Sequence, residues 1–301
     1  MSESPGRQRA GDALMLFSVV VFGSSFPFAK PLVMAMDPLL FSSTRALVSA
    51  AFLFAALLAS RQPVLLPHRE WLPAIGVGLF GFTLFQGSWA SALREAPPGV
   101  AAIYLATSPI WAAIFARIAG KRMAPLAWLG LVIALIGVFV VVNNDFSRIV
   151  VQIDSLRPAL WWLANAMGWA LFVNVSAPFV ARVGPLRSGA WMSAVGATTL
   201  LCIALAWGGD LRAFLRFDIG LWVGFAYMAL VVGGLSFLTW NLGLDRLGAP
   251  RAMLFMYLVP VAAVCIAAAV FGDPLTAPRI AGGIVVLGGV ALTRAGMARR
   301  G

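Results

Sequence analysis

Charge is scarce in this chain of 301 residues. Asp, Glu, Lys and Arg make up 11% of it and 61% is hydrophobic, whereas a typical soluble domain is about 25% charged. No water-soluble fold can hide so much apolar surface, so the soluble classes are excluded. Histidine occurs once, at His68, and cysteine twice. Such counts supply neither a set of metal ligands nor a nucleophile with its base. An intramembrane enzyme or lipid-modifying transferase is therefore disfavoured, and neither metal nor cofactor is expected. Cys202 and Cys265 both fall in apolar stretches, where a thiol packs as a small hydrophobe, so no disulfide is expected. Acidic residues number 11 against 22 basic ones, and no Asp or Glu lies centrally in an apolar run. In a soluble protein a net charge of +11 would point to nucleic acid. Here the partner is membrane lipid, nucleic acid is not expected, and the useful question is where the charges lie.

What is present is a series of apolar runs. Residues 13 to 29, 46 to 60, 71 to 93, 96 to 116, 123 to 144, 158 to 181, 188 to 209, 219 to 244, 252 to 272 and 280 to 293 are free of Asp, Glu, Lys and Arg. A membrane helix needs about 20 mainly apolar residues. The two short runs reach that length by extending back past Arg45 and Arg279. Lipid offers backbone groups no partners, so the runs must be helices or closed barrels, and the alternation of barrel strands is absent. The expected fold is an all-α integral membrane protein of ten transmembrane helices. The first run follows Arg7 and Arg9 as a signal peptide would, but it has the same character as the other nine and is read as a span. With both termini cytoplasmic, 14 basic residues fall on the inner side and seven on the outer, with Arg45 inside a helix. The excess favours termini on the cytoplasmic side of an inner (plasma) membrane.

The chain also repeats itself. Trp89, Gly99, Val100, Ala101 and Pro109 match Trp240, Pro250, Arg251, Ala252 and Pro260 at a constant offset of 151, and after a one-residue gap Gly130 and Gly137 match Gly282 and Gly289. Each half, residues 13–143 and 159–293, would hold five helices. Because five is odd, the second half must enter the membrane inverted, the arrangement that gives a carrier two equivalent gates around a central site.

Several stretches resemble a known family, the drug/metabolite transporter superfamily in its ten-helix EamA-like branch. They are Phe22-Gly23-Ser24-Ser25-Phe26, Ser43-Thr44-Arg45-Ala46, Ala92-Leu93-Arg94, Ser108-Pro109, Gly120-Lys121-Arg122 and Trp128-Leu129-Gly130 through Gly137. The second half repeats the pattern more loosely, with Val259-Pro260 and Phe271-Gly272-Asp273, where the family usually has Gly-Glu. The resemblance implies a small-molecule transporter, similar within the branch to its exporters of amino acids and related metabolites; it names the fold better than the substrate.

Ionisable groups at bilayer depth are costly and so are candidates for function. Arg45 lies about 10 Å into the second helix by helical rise, where its guanidinium can hold a substrate carboxylate through two parallel hydrogen bonds or serve structurally by pairing with backbone carbonyls. Phe82, Gln86 and Trp89 share one helix face by their i, i+4, i+7 spacing. Tyr104 and Ser108 on the fourth helix, Trp169 and Asn174 on the sixth, Trp240 and Asn241 on the eighth, and Phe255 and Tyr257 on the ninth complete a set of rings, amides and hydroxyls suited to an amphipathic solute. Lipid-facing packing or an interfacial belt is the commoner role of any one such aromatic. Pro109 and Pro260, equivalent in the two halves, are candidate hinges that would free the carbonyls of Leu105 and Met256. The glycines of the fifth and tenth helices permit close helix approach, within the fold or in a homodimer.

The expected activity is export of amino acids, aromatic or otherwise apolar ones included, or related metabolites by alternating access. Without a central carboxylate or histidine the carrier is expected to be facilitative, Asp154 and Asp218 near outer helix ends being the exceptions to test. A multidrug or organic-cation exporter is the alternative. Nucleotide sugars would want a larger basic cluster, and a structural subunit would lack an accessible cavity.

Overall fold

A computed structural model describes residues 5–95, 103–121, 123–146, 156–271 and 274–298. Arg122, Arg148, Asp154, the Gly272-Asp273 pair and the Gly99–Ala101 part of the repeat lie outside the described residues. Among those described, every regular element is helical. The long helices are α1 (Pro5–Ala35), α2 (Pro38–Ala59), α3 (71–95), α4 (Ser108–Ile118, preceded by a turn of helix from Ile103), α5 (Pro125–Asn143), α6 (Leu156–Val183), α7 (Pro185–Ala206), α8 (219–247), α9 (249–271) and α10 (Ala277–Ala298). Among the described residues seven helical stretches are long and apolar enough to cross a membrane, one of which, Ile219–Ile266, contains both α8 and most of α9. The protein is thus a multi-pass, all-α membrane protein. Arg45 and Arg279 lie inside α2 and α10, as extension of the two short runs required.

Local sequence sets the helix ends. Pro38, Pro125 and Pro185 occupy the first turns of α2, α5 and α7, where a missing N–H costs nothing. Asp37 and Asp218 cap α2 and α8 by accepting from the amides of Leu40 (2.9 Å) and Leu221 (2.8 Å). Gly248, at φ 72°, separates α8 from α9, a conformation that side chains with a Cβ rarely adopt.

Helices from the two halves pack in antiparallel pairs. On α5 and α10, Gly130 faces Gly289 and Thr293, Gly137 faces Gly282 and Val286, and Ala127 meets Gly296. Equivalent glycines thus meet reciprocally, with numbers rising along one helix as they fall along the other. Reciprocal antiparallel contact of this kind is consistent with an inverted repeat. The α1–α8 pair (Gly11 on Leu247, Met15 on Gly243, Ser24 on Tyr227) and the α6–α3 pair (Asn165 on Phe85, Phe172 on Gly81, Arg182 on Glu70) are likewise antiparallel. They exchange under the repeat offset. Ion pairs Arg7–Asp245 and Arg157–Glu95 close opposite ends of these two pairs. The start of α1 and the end of α10 lie on one face of the bundle, where Arg7 meets Asp245 and Arg294 meets Asp12 at 2.5 Å.

Two features depart from the expected regular helices. Val77–Phe82 in α3 and Tyr227–Ser236 in α8 are π-helical, and these segments overlap under the offset of 151. Such widened turns are rare and recur at functional sites. Each has a carbonyl engaged from outside the backbone ladder: Thr83 Oγ1 donates to Gly78 O (3.1 Å) and Ser49 Oγ to Ala229 O (2.7 Å), Gly78 and Ala229 being repeat equivalents. Secondly, the turn just before each of Pro109 and Pro260 departs from regular α-helix. Pro109 follows a turn at Thr107 and opens α4, while Pro260 follows the 3-10 turn Phe255–Tyr257. The helix therefore breaks just before each proline instead of kinking at it.

Candidate functional site

The two π-helical segments face one another across a central cavity. α3 presents Phe82, Phe85, Gln86 and Trp89 to it, and α8 presents Met228, Val232, Gly233 and Phe237. Phe22, Ser25 and Phe26 of α1, Arg45, Ala46 and Ser49 of α2, Asn165 and Trp169 of α6, and Ser193 of α7 complete most of the wall. Leu105 and Met256, the residues one turn before the two prolines, line it as well. The space between these side chains is roughly 770 Å³ when the open mouth is counted with it.

Aromatic rings dominate the wall. Trp169 stacks on Phe172 at 5.7 Å and packs edge-on against Phe85 (4.8 Å) and Phe22 (6.3 Å). Arg45 is the one cationic side chain among the described residues of this wall, and it is 4% exposed. Its Nη2 donates to Gln86 Oε1 at 2.5 Å, and its Cζ lies 5.3 Å from the Trp89 ring centre and 5.6 Å from that of Phe41. No carboxylate lines the cavity among the described residues. Taking an ion out of water costs several kcal/mol unless a counter-charge repays it, and Arg45 has only an amide and two ring faces. A second clue is what has no partner. Arg45 Nε, Trp169 Nε1, Asn165 Oδ1 and Ser193 Oγ are buried without a hydrogen bond, although buried polar groups are rarely left so. All four belong to the cavity wall.

The structure brings together Arg45, Phe82, Gln86, Trp89 and Trp169 of the expected site. The other three lie elsewhere. Trp240 is fully buried behind the wall, 5.0 Å from Trp169 and 5.9 Å from Phe22. Its repeat equivalent Trp89, by contrast, lines the cavity. Tyr257 is also fully buried, its hydroxyl donating to Leu131 O of α5 at 2.9 Å, because the 3-10 turn rotates it away from the centre. Tyr104 lies half-buried on the turn before α4 and does not line the cavity. Asn174 donates to the carbonyls of Ala170 and Ala112, and Phe255 lies under the guanidinium of Arg294. Residues missed by sequence reasoning include Asn165 and Ser193. Asn165 stands one helical turn before Trp169, so the same i, i+4 rule would have found it; Ser193 carries no such signal.

A second cavity lies between α4, α5 and the α8–α9 junction, lined by Asn174, Lys121, Arg251, Met253 and Met297 among others. It is on the face that bears the start of α1 and the end of α10. Pro109 and Met253 border it, while Leu105 and Met256 border the central cavity, so the broken helix turns separate the two spaces.

Comparison with known proteins places this architecture. The profile of the EamA-like transporter family matches residues 9–143 and 156–295, one match in each half. The chain belongs to this family. Among its EamA-like relatives are the uncharacterized transporter YyaM of Bacillus subtilis, 28% identical over 95% of this chain and 94% of that one, and the aromatic amino acid exporter YddG of Ancylobacter novellus, 27% identical over 95% and 98%. The uncharacterized inner membrane transporter YedA of Escherichia coli is 26% identical over 91% and 87%. A crystal structure 21% identical in sequence superposes with a TM-score of 0.76 over 95% of this chain and 97% of the other, which shows the shared fold.

Proposed function

We propose that this EamA-like transporter exports amino acids, aromatic and other apolar ones among them, or related small metabolites across an inner membrane, with both termini cytoplasmic. The observation that carries the reading is a cavity walled by aromatic rings in which, among the described residues, a single buried guanidinium lacks a counter-ion. Rings bury apolar area, and Arg45 takes the carboxylate, displacing Gln86. A relative named as an aromatic amino acid exporter supports the same choice.

Transport proceeds by alternating access, the repeats 13–143 and 159–293 moving against each other. The broken turns before Pro109 and Pro260 are the hinges, each one helical turn from a cavity residue. Carriage is facilitative, the substrate's own gradient setting direction. An organic-cation exporter is less well served: a cation would meet Arg45 and no carboxylate among the described residues.

The test is uptake of labelled phenylalanine, tryptophan and leucine into proteoliposomes against empty vesicles. Saturable uptake of the aromatic acids is expected. Absence of uptake of all three, with protein shown to be folded, would sink the reading.

A further inference from the structure

The polar groups open to a ligand in the central cavity are unbalanced. Arg45 supplies a full positive charge, with Nε still unpartnered and Nη2 held only by a neutral amide. Trp169 Nε1 is a second free donor. On the acceptor side the unpartnered side-chain atoms of the wall are Asn165 Oδ1 and Ser193 Oγ, both neutral; the amide nitrogen of Asn165 is already committed to Phe85 O at 2.7 Å, which leaves its oxygen the unpaired atom of that amide. The second cavity repeats the bias, since its ionisable lining among the described residues is Lys121 and Arg251.

An α-amino acid brings one carboxylate and one ammonium. The carboxylate gains a charge-assisted bond to Arg45. The ammonium, held next to the carboxylate by its covalent attachment, is confined near a guanidinium of like charge and meets no anion among the described residues, so it gives up hydration for neutral hydrogen bonds and ring faces alone. An aromatic acid without the amino group makes the same ring and carboxylate contacts, neutralises Arg45 and avoids that desolvation.

We propose that the cavity recognises the aryl group and the carboxylate alone, so that aromatic monocarboxylates lacking an α-amino group are ligands at least as good as the amino acids. This rests on the reading of the cavity as a site for aromatic metabolites and names the charge class that it selects.

The test is competition against labelled phenylalanine on the purified full-length protein, using 3-phenylpropionate, unlabelled phenylalanine and 2-phenylethylamine, with direct binding of labelled 3-phenylpropionate in parallel. Half-inhibition by 3-phenylpropionate is expected at or below the concentration needed for phenylalanine, and 2-phenylethylamine should need at least tenfold more. Arg45→Gln should weaken both carboxylates at least tenfold, and Arg45→Lys, which retains charge, less than that. The ligand series on the unaltered protein keeps the test decisive if either variant misfolds. Phenylalanine binding with 3-phenylpropionate tenfold weaker, or with 2-phenylethylamine equal to phenylalanine, overturns the inference while leaving amino-acid transport standing. Binding of 3-phenylpropionate without phenylalanine supports the inference and removes amino acids from the substrate range. Binding of neither overturns both.

Discussion

At the residue scale the cavity separates side chains that sequence alone could not tell apart. Phe82, Gln86 and Trp89 were legible because a regular spacing fixes one helix face, and the structure sets all three on the cavity wall. Trp240 and Tyr257 were assigned to the site through their place on equivalent helices, but a repeat preserves position in the helix and not which neighbour a side chain meets. Their burial instead ties them to packing. Substituting the two groups should therefore give different signatures. Trp169→Ala removes a ring that is 5% exposed at the cavity and should raise KM at least tenfold, with membrane abundance unchanged. Tyr257→Phe deletes the donor to Leu131 O, a net loss of about 1 kcal/mol, and should lower the melting temperature while leaving KM as it was. Transport kinetics and thermal unfolding on the same preparations check both, and a KM effect from Tyr257→Phe would return that side chain to the site.

Elements show where the sequence was most and least informative. The all-helical membrane fold was legible in the uncharged runs, since the bilayer fixes a minimum length for each span. The π-helical turns did not, because their sequences, Val77–Phe82 and Tyr227–Ser236, are ordinary apolar stretches and the widening depends on partners from other helices such as Ser49. Thr83→Val removes the hydroxyl bond to Gly78 O and should destabilise by about 0.5–1.5 kcal/mol, read as a lower melting temperature. The glycines of α10 were conspicuous in the sequence, yet whether they faced another helix of this chain or a second copy was open. A methyl on Gly137 would lie 2.6 Å from the amide nitrogen of Val286 and 2.8 Å from Gly282 O, nearer than carbon packs against either. Gly288, by contrast, has open space at that position. Gly137→Leu should therefore abolish monodisperse protein on size-exclusion chromatography, and Gly288→Leu should leave the profile unchanged. The same result from both would mean that α5 and α10 do not meet through these glycines.

Across the whole molecule the charges sit at the ends and the centre is nearly free of them, and pH dependence follows from that distribution. The Glu70 carboxylate, hydrogen-bonded to Arg182 at 2.8 Å and 3.0 Å, is held below its usual pKa first by that bond and also by the Arg182 charge. A carboxylate with a depressed folded pKa adds stability above its unfolded value, near about 4.3, and loses it as pH falls through the lower folded value. Thermal stability should thus be insensitive to this pair between pH 5 and 8 (roughly the span in which an ordinary carboxylate stays ionised) and fall in acid. Glu70→Gln should remove part of the acid dependence. Transport should be flat for a separate reason. Proton relays in membranes use Asp, Glu and His, and among the described residues neither cavity is lined by one; Asp218, a sequence candidate, is engaged as the cap of α8. Uptake into proteoliposomes should accordingly be equal, within about twofold as kinetic scatter, with an imposed proton gradient or with that gradient collapsed by a protonophore, since no described side chain of either cavity is of a type that relays protons. Accumulation that requires the gradient would instead direct attention to Asp154, outside the described residues, and Asp154→Asn would then decide whether that carboxylate couples proton movement to the alternation of the two repeats.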